Sequence, residues 1–135
     1  MVDRQKLSKN MAYMVFFILA INYIAIKLYL YWSVWYFDMP MHFLGGVFVG
    51  FLAIYLFDPL SKIKIFKINN GFRFYIFYIF LFTFIVGFGW EVFEVIFKNI
   101  LAGENFNLLD TISDVCFDIS GGFTTFMFFI RKNLL

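Results

Sequence analysis

Cysteine, histidine and charge are all scarce in this chain, and each scarcity closes off a class of function. Cys116 is the sole cysteine among 135 residues, so neither an intrachain disulfide nor a cysteine-based zinc cluster can form. His42 is the only histidine, which excludes a His-x-x-x-His ligand pair. Charged residues are 15% of the chain against 63% hydrophobic ones. A soluble domain of this length could not hide so much apolar surface in one core. The sequence has no Walker loop, no basic groove for nucleic acid, no internal repeat, no low-complexity tail and no second domain. Its 23 phenylalanines, with many Ile, Lys and Asn, point to AT-rich coding rather than to function.

What is present is length in apolar runs. A bilayer is crossed by about 20 apolar residues. Four segments approach or meet that length, at 11–31, 41–57, 74–98 and 110–130. They predict an all-α integral membrane protein, a compact bundle of about four transmembrane helices forming a single transmembrane domain over 1–135. Arg4, Lys6 and Lys9 before the first apolar run imitate a signal peptide. That run has no small-x-small cleavage site before Tyr31, so it reads as an uncleaved anchor.

Basic residues mark the cytoplasmic side of short loops. Arg4, Lys6, Lys9, Lys62, Lys64, Lys67, Arg73, Arg131 and Lys132 fall on one side if the chain crosses four times, leaving Lys27 and Lys98 toward the other. Both termini are therefore expected in the cytoplasm, in a multi-pass protein of the inner membrane. Tyr31, Trp32, Trp35 and Tyr36 form an aromatic belt at the outer end of the first segment, and Tyr13, Tyr55 and Tyr75 sit at inner ends. The alternating stretch 62–68 reads as a charged linker or an extended run on the inner surface, ended by the turn at Asn69-Asn70-Gly71.

The acidic residues are the informative ones. Of nine, only Asp3 and Asp58 belong to the cytoplasmic side; Asp38, Glu91, Glu94, Glu104, Asp110, Asp114 and Asp118 fall in the outer half or outer loops, together with His42. Asp110, Asp114 and Asp118 lie within roughly 80° of one another on a helix, and Gly121 and Thr125 continue their stripe. Glu91 and Glu94 share a face with Gly87 and Lys98; Asp38 and His42 lead into Gly45, Gly46, Val49 and Ala53. Polar faces in lipid turn inward, and small residues let helix backbones approach. A charge at the bilayer centre costs roughly 2.5–3.5 kcal/mol on insertion scales, so several such carboxylates need compensation. Either protonation or a divalent metal supplies it. Oxygen-rich ligands with at most one imidazole suit Mg²⁺, Mn²⁺ or Ca²⁺, with Zn²⁺ also compatible. Glu91, Glu94, Asp110, Asp114 and Asp118 are the expected metal ligands, with Asp38 and His42 as general acid or base. Ser113 and Ser120 face away from the acidic stripe, so no Ser-His-Asp set is expected.

The order Asp38-x-x-x-His42 with Gly45-Gly46, then Trp90-Glu91-x-x-Glu94, then Asp110-x-x-x-Asp114-x-x-x-Asp118 with Gly121-Gly122 resembles the VanZ-like membrane proteins. The likeness is nearest to the YjdF-like bacterial inner-membrane branch and spans Asp38 to Thr125. It implies a small multi-helix protein of the cell envelope and no settled activity. The Asp-Gly and Ala-Arg elements of the lipid-head-group transferases that hold two metal ions are missing.

The expected function is a metal-dependent site acting on a lipid or lipid-linked envelope substrate. Two alternatives stay open: a non-catalytic protein that binds an envelope component or supports a partner, and a cation or proton-coupled carrier. Whether the site turns over a substrate is left open by the sequence. The bilayer is the one certain partner, nucleic acid is not expected, and a homo-oligomer is compatible with the small size.

Overall fold

In the computed structural model of the protein, residues 4–60, 71–101 and 107–133 are described. The alternating stretch 62–68, Asp3 and Glu104 lie outside them. The described residues form short turns and five helical elements: α1 (Arg4–Lys27), the single turn α2 (Leu30–Ser33), α3 (Asp38–Leu60), α4 (Gly71–Leu101) and α5 (Leu108–Asn133). Of these, α1, α3 and α4 are long and apolar enough to cross a membrane. The 26-residue α5 is equally long but carries Asp110, Asp114 and Asp118 near its start.

The helix boundaries have local causes. Tyr29 adopts a left-handed conformation (φ 55°), which no helix can propagate, so α1 stops before the aromatic cluster expected at its end. Tyr31 and Trp32 then belong to the separate turn α2. Asp38 in the first turn of α3 complements the positive end of the helix dipole. Pro40 is tolerated there because a first-turn N–H has no intrahelical partner. At α5 the Asn107 side-chain oxygen accepts from the Leu109 N–H at 3.2 Å, an N-cap.

The core is built by α3, α4 and α5, with α3 and α5 in the most extensive contact. Glycine sets that closeness. A Cβ on Gly46 would strike the backbone of Asp118, and one on Gly121 would strike the backbone of Phe43 and Val47. Gly50 faces Thr125, whose hydroxyl donates to the Val47 carbonyl at 2.9 Å. The α4 stripe Ile79, Thr83, Gly87 and Glu91 is buried at every fourth position. Thr83 meets Gly122, and Gly87 meets the Asp118 side chain. Phenylalanines on the other faces of α4, such as Phe80, Phe84, Phe88 and Phe93, are exposed and form a lipid-compatible exterior.

Helix α1 is attached differently. Its only buried residues are Leu7 and Ala25, and its principal long contact is with α3. Near the Leu7 end the Arg4 guanidinium lies over the Tyr55 ring at 4.3 Å. Near the other end the Tyr31 hydroxyl donates to Asn22 at 2.8 Å.

Candidate functional site

One consequence of the glycine-mediated crossing is that the polar ends of α3, α4 and α5 are drawn together. His42 is buried at their junction, one turn inside the start of α3. Its Nδ1 lies 3.3 Å from Asp118 Oδ2, and this carboxylate is the natural acceptor of an Nδ1–H. That hydrogen bond leaves Nε2 facing three more carboxylates: Glu91 Oε1 at 3.6 Å, Asp38 Oδ2 at 3.9 Å and Asp114 Oδ2 at 4.0 Å. None is within hydrogen-bonding reach of a proton on Nε2.

The burial is deep. Glu91 is 4% exposed, Asp114 2% and Asp118 6%. Among the described residues, Glu91 Oε1 has no hydrogen-bond partner. Thr111, one turn into α5, hydrogen-bonds to the Glu91 carboxyl. Among the described residues, two groups of three can present ligand atoms within 4.8 Å of one another: His42 with Glu91 and Asp114, all buried, and Asp38 with His42 and Glu94, nearer the surface. Atoms bound to one small divalent cation at about 2.0–2.2 Å cannot be more than about 4.4 Å apart, which the Nε2 distances satisfy.

The structure thus brings Asp38, His42, Glu91, Glu94, Asp114 and Asp118 to one place. Asp110 is half-buried, one turn toward the start of α5, and belongs to neither group. Ser113 is nearer the acidic stripe than its spacing suggests. Its hydroxyl donates to the Asp110 carbonyl at 2.7 Å and lies 3.5 Å from Asp114 Oδ1. Tyr31 also borders the site; burial, then the charges of Asp38 and Glu94, hold its phenol above the usual tyrosine range, so it stays a donor. Sequence reasoning missed Gly50 and Thr111. The spacing Gly46-x-x-x-Gly50 is the small-residue signal that could have found the first. Nothing in the sequence marks Thr111 apart from any other first-turn threonine.

Across residues 2–133 the sequence matches the family described as "Predicted membrane protein (DUF2238)". The chain belongs to this family. No curated protein and no solved structure matches it. The family description agrees with the three apolar helices, and the cluster around His42 is the chemically distinctive feature within them.

Proposed function

We propose that His42, Glu91 and Asp114 hold a divalent cation, in a site that acts on a lipid or lipid-linked substrate of the bacterial cell envelope. The observation that carries this reading is the surroundings of Nε2. When Nδ1–H donates to Asp118 and the ring is neutral, Nε2 turns its lone pair toward Glu91 Oε1, which lies 3.6 Å away in a buried site and has no hydrogen-bond partner among the described residues. Two buried acceptors so placed call for a positive centre between them. Asp118 fixes the ring orientation and the tautomer, as an outer carboxylate does for metal-bound histidine. Asp38 and Glu94 form the more exposed rim, where Asp38 is placed to exchange protons with solvent; Asp110 adds negative charge beyond them.

A cation there would act as a Lewis acid toward a phosphoryl or acyl oxygen. The rest is supplied by the chain's own residues: the His42–Asp118 pair orients, the Thr111 hydroxyl anchors Glu91, and the helices exclude water. An imidazole with two carboxylates suits Zn²⁺ best and Mn²⁺ next, whereas Mg²⁺ would engage chiefly the carboxylate oxygens. The likeness of Asp38–Thr125 to VanZ-like and YjdF-like proteins supports an envelope role in the inner membrane. The basic-residue bias supports cytoplasmic termini, which places the cluster toward the outer leaflet.

The test is thermal melting of the purified full chain in detergent, with Mn²⁺, Mg²⁺ or Zn²⁺ added and then chelated. A cation at a hundredfold excess over its dissociation constant stabilises the folded state by about 2.7 kcal/mol. Glu91→Gln and Asp114→Asn should each fold and lose that shift. Wild-type melting indifferent to all three cations and to chelator would reject the site.

A further inference from the structure

A cleft of about 450 Å³ runs beside the His42 cluster, within the range of about 300–1,000 Å³ typical of small-molecule sites. It lies beside α1, whose buried residues are Leu7 and Ala25 and whose residues Ile18 and Asn22, half-buried, line it. Val15, Ile18 and Leu19 of α1 form one wall; Phe48 and Val49 of α3 and Val86 of α4 contribute the others. One end is polar, with the Tyr31–Asn22 pair, Asp38, His42 and Asp118; the other is hydrocarbon. We infer that this cleft holds one hydrocarbon chain of a phosphate-bearing membrane lipid, admitted sideways between α1 and α4, with the phosphate at the His42 end. This rests on the cation reading above, because a phosphate among carboxylates needs a cation between them.

Three observations fix the occupant. Val86 and Trp90 border the cleft and are 38% and 55% exposed on α4, and α1 does not pack extensively on α4. The cleft therefore opens to whatever surrounds the helices, which for a membrane protein is lipid. An apolar groove open to the bilayer is filled by hydrocarbon, since an unfilled one forfeits its dispersion contacts. Length agrees: from Asp38 to Val49 along α3 is about 16 Å at 1.5 Å per residue. The hydrocarbon half-thickness of a bilayer is about 15 Å. A chain seated in the cleft thus spans one leaflet while its polar group reaches the level of Asp38 and His42. Because lipid tails are as apolar as the cleft wall, the chain gains little by moving from bilayer to cleft. Selectivity comes from the polar end.

The probe is a diazirine-tagged phosphatidic acid, diluted into phosphatidylcholine nanodiscs containing the full chain, photolysed with and without Mn²⁺. Labelled residues are mapped by mass spectrometry. Saturable, Mn²⁺-enhanced labelling within 15–22 and at 86–90 is expected. Val49→Trp and Leu19→Trp each fill the cleft and should cut that labelling about tenfold, a change of about 1.4 kcal/mol in binding. Both should keep the Mn²⁺ melting shift; Leu19 is exposed, so its variant tests the idea even if Val49→Trp misfolds. Labelling that is non-saturable and equal in the variants, with the Mn²⁺ shift intact, overturns the cleft and leaves the cation site standing. Saturable cleft labelling in a protein with no Mn²⁺ shift keeps the cleft and overturns the cation site.

Discussion

Thr83 and Thr125 are equally buried, at 1% exposure, yet they should respond oppositely to the same substitution. Thr125 donates to the Val47 carbonyl across the α3–α5 contact, whereas the Thr83 hydroxyl has no hydrogen-bond partner among the described residues. Valine preserves the shape of either. Thr125→Val should cost about 0.6 kcal/mol, the average for interhelical hydrogen bonds in membranes. Thr83→Val should be neutral or stabilising by about 1–3 kcal/mol, the penalty of an unsatisfied buried donor. Melting in detergent measures both, and a destabilised Thr83→Val would mean that its hydroxyl is satisfied in the protein. At the same scale, Asp118→Asn retains an acceptor for Nδ1–H and removes a charge. It should weaken Mn²⁺ binding by roughly 10–100-fold, the usual effect of altering a histidine's outer partner. Unchanged Mn²⁺ affinity in Asp118→Asn would show that Asp118 does not govern His42.

Among the helices, the α3–α5 contact is the one that cannot be loosened. A Cβ at Gly46 or Gly121 would meet backbone, which has no rotamer to yield, so Gly46→Ala and Gly121→Ala should each cost at least about 1–3 kcal/mol. Gly89 meets nothing within 4 Å, so Gly89→Ala should be stabilising by up to about 1 kcal/mol through helix propensity alone. Equal melting temperatures for these three variants would contradict the packing. Much of this element-level picture is legible in the sequence. Asp38, His42, Glu91, Asp114 and Asp118 are assigned to inward faces by 3.6-residue periodicity, and the structure gathers them. Gly121 and Thr125 also follow from spacing, whereas Gly122 entered only through the family resemblance. Periodicity cannot show which helix a face meets, so the pairing of Gly46 with Asp118 and of Gly122 with Thr83 needed three dimensions. The break at Tyr29 was hidden because a left-handed tyrosine has no compositional mark. Nor does a helix pattern reveal that a cleft opens between α1 and the α3–α4 pair.

For the molecule as a whole, a four-crossing topology requires α5 to enter the membrane, although among the described helices only α1, α3 and α4 are apolar enough to cross it by composition. The face of α5 toward α3 and α4 carries Asp114 and Asp118 beneath Asp110, each costing roughly 2.5–3.5 kcal/mol at the bilayer centre. Burial against His42 and Gly87 is what shields Asp118, so the compensation exists only when α3 and α4 are already in place. Insertion of α5 should therefore depend on the rest of the bundle. With nine of the eleven basic residues assigned to one side, both ends of the intact chain should be cytoplasmic. A reporter active only outside the cytoplasmic membrane, fused after the last residue of the full chain, should be inactive; moved to the α4–α5 connection, it should be active. A segment comprising α5 alone should insert poorly in a translocation assay, and replacing Asp110, Asp114 and Asp118 together by Leu should restore its insertion. Activity of the fusion at the end of the full chain would overturn the four-crossing topology and the outward-facing cluster with it. Efficient insertion of unmodified α5 alone would show instead that its aspartates need no partners to enter the membrane.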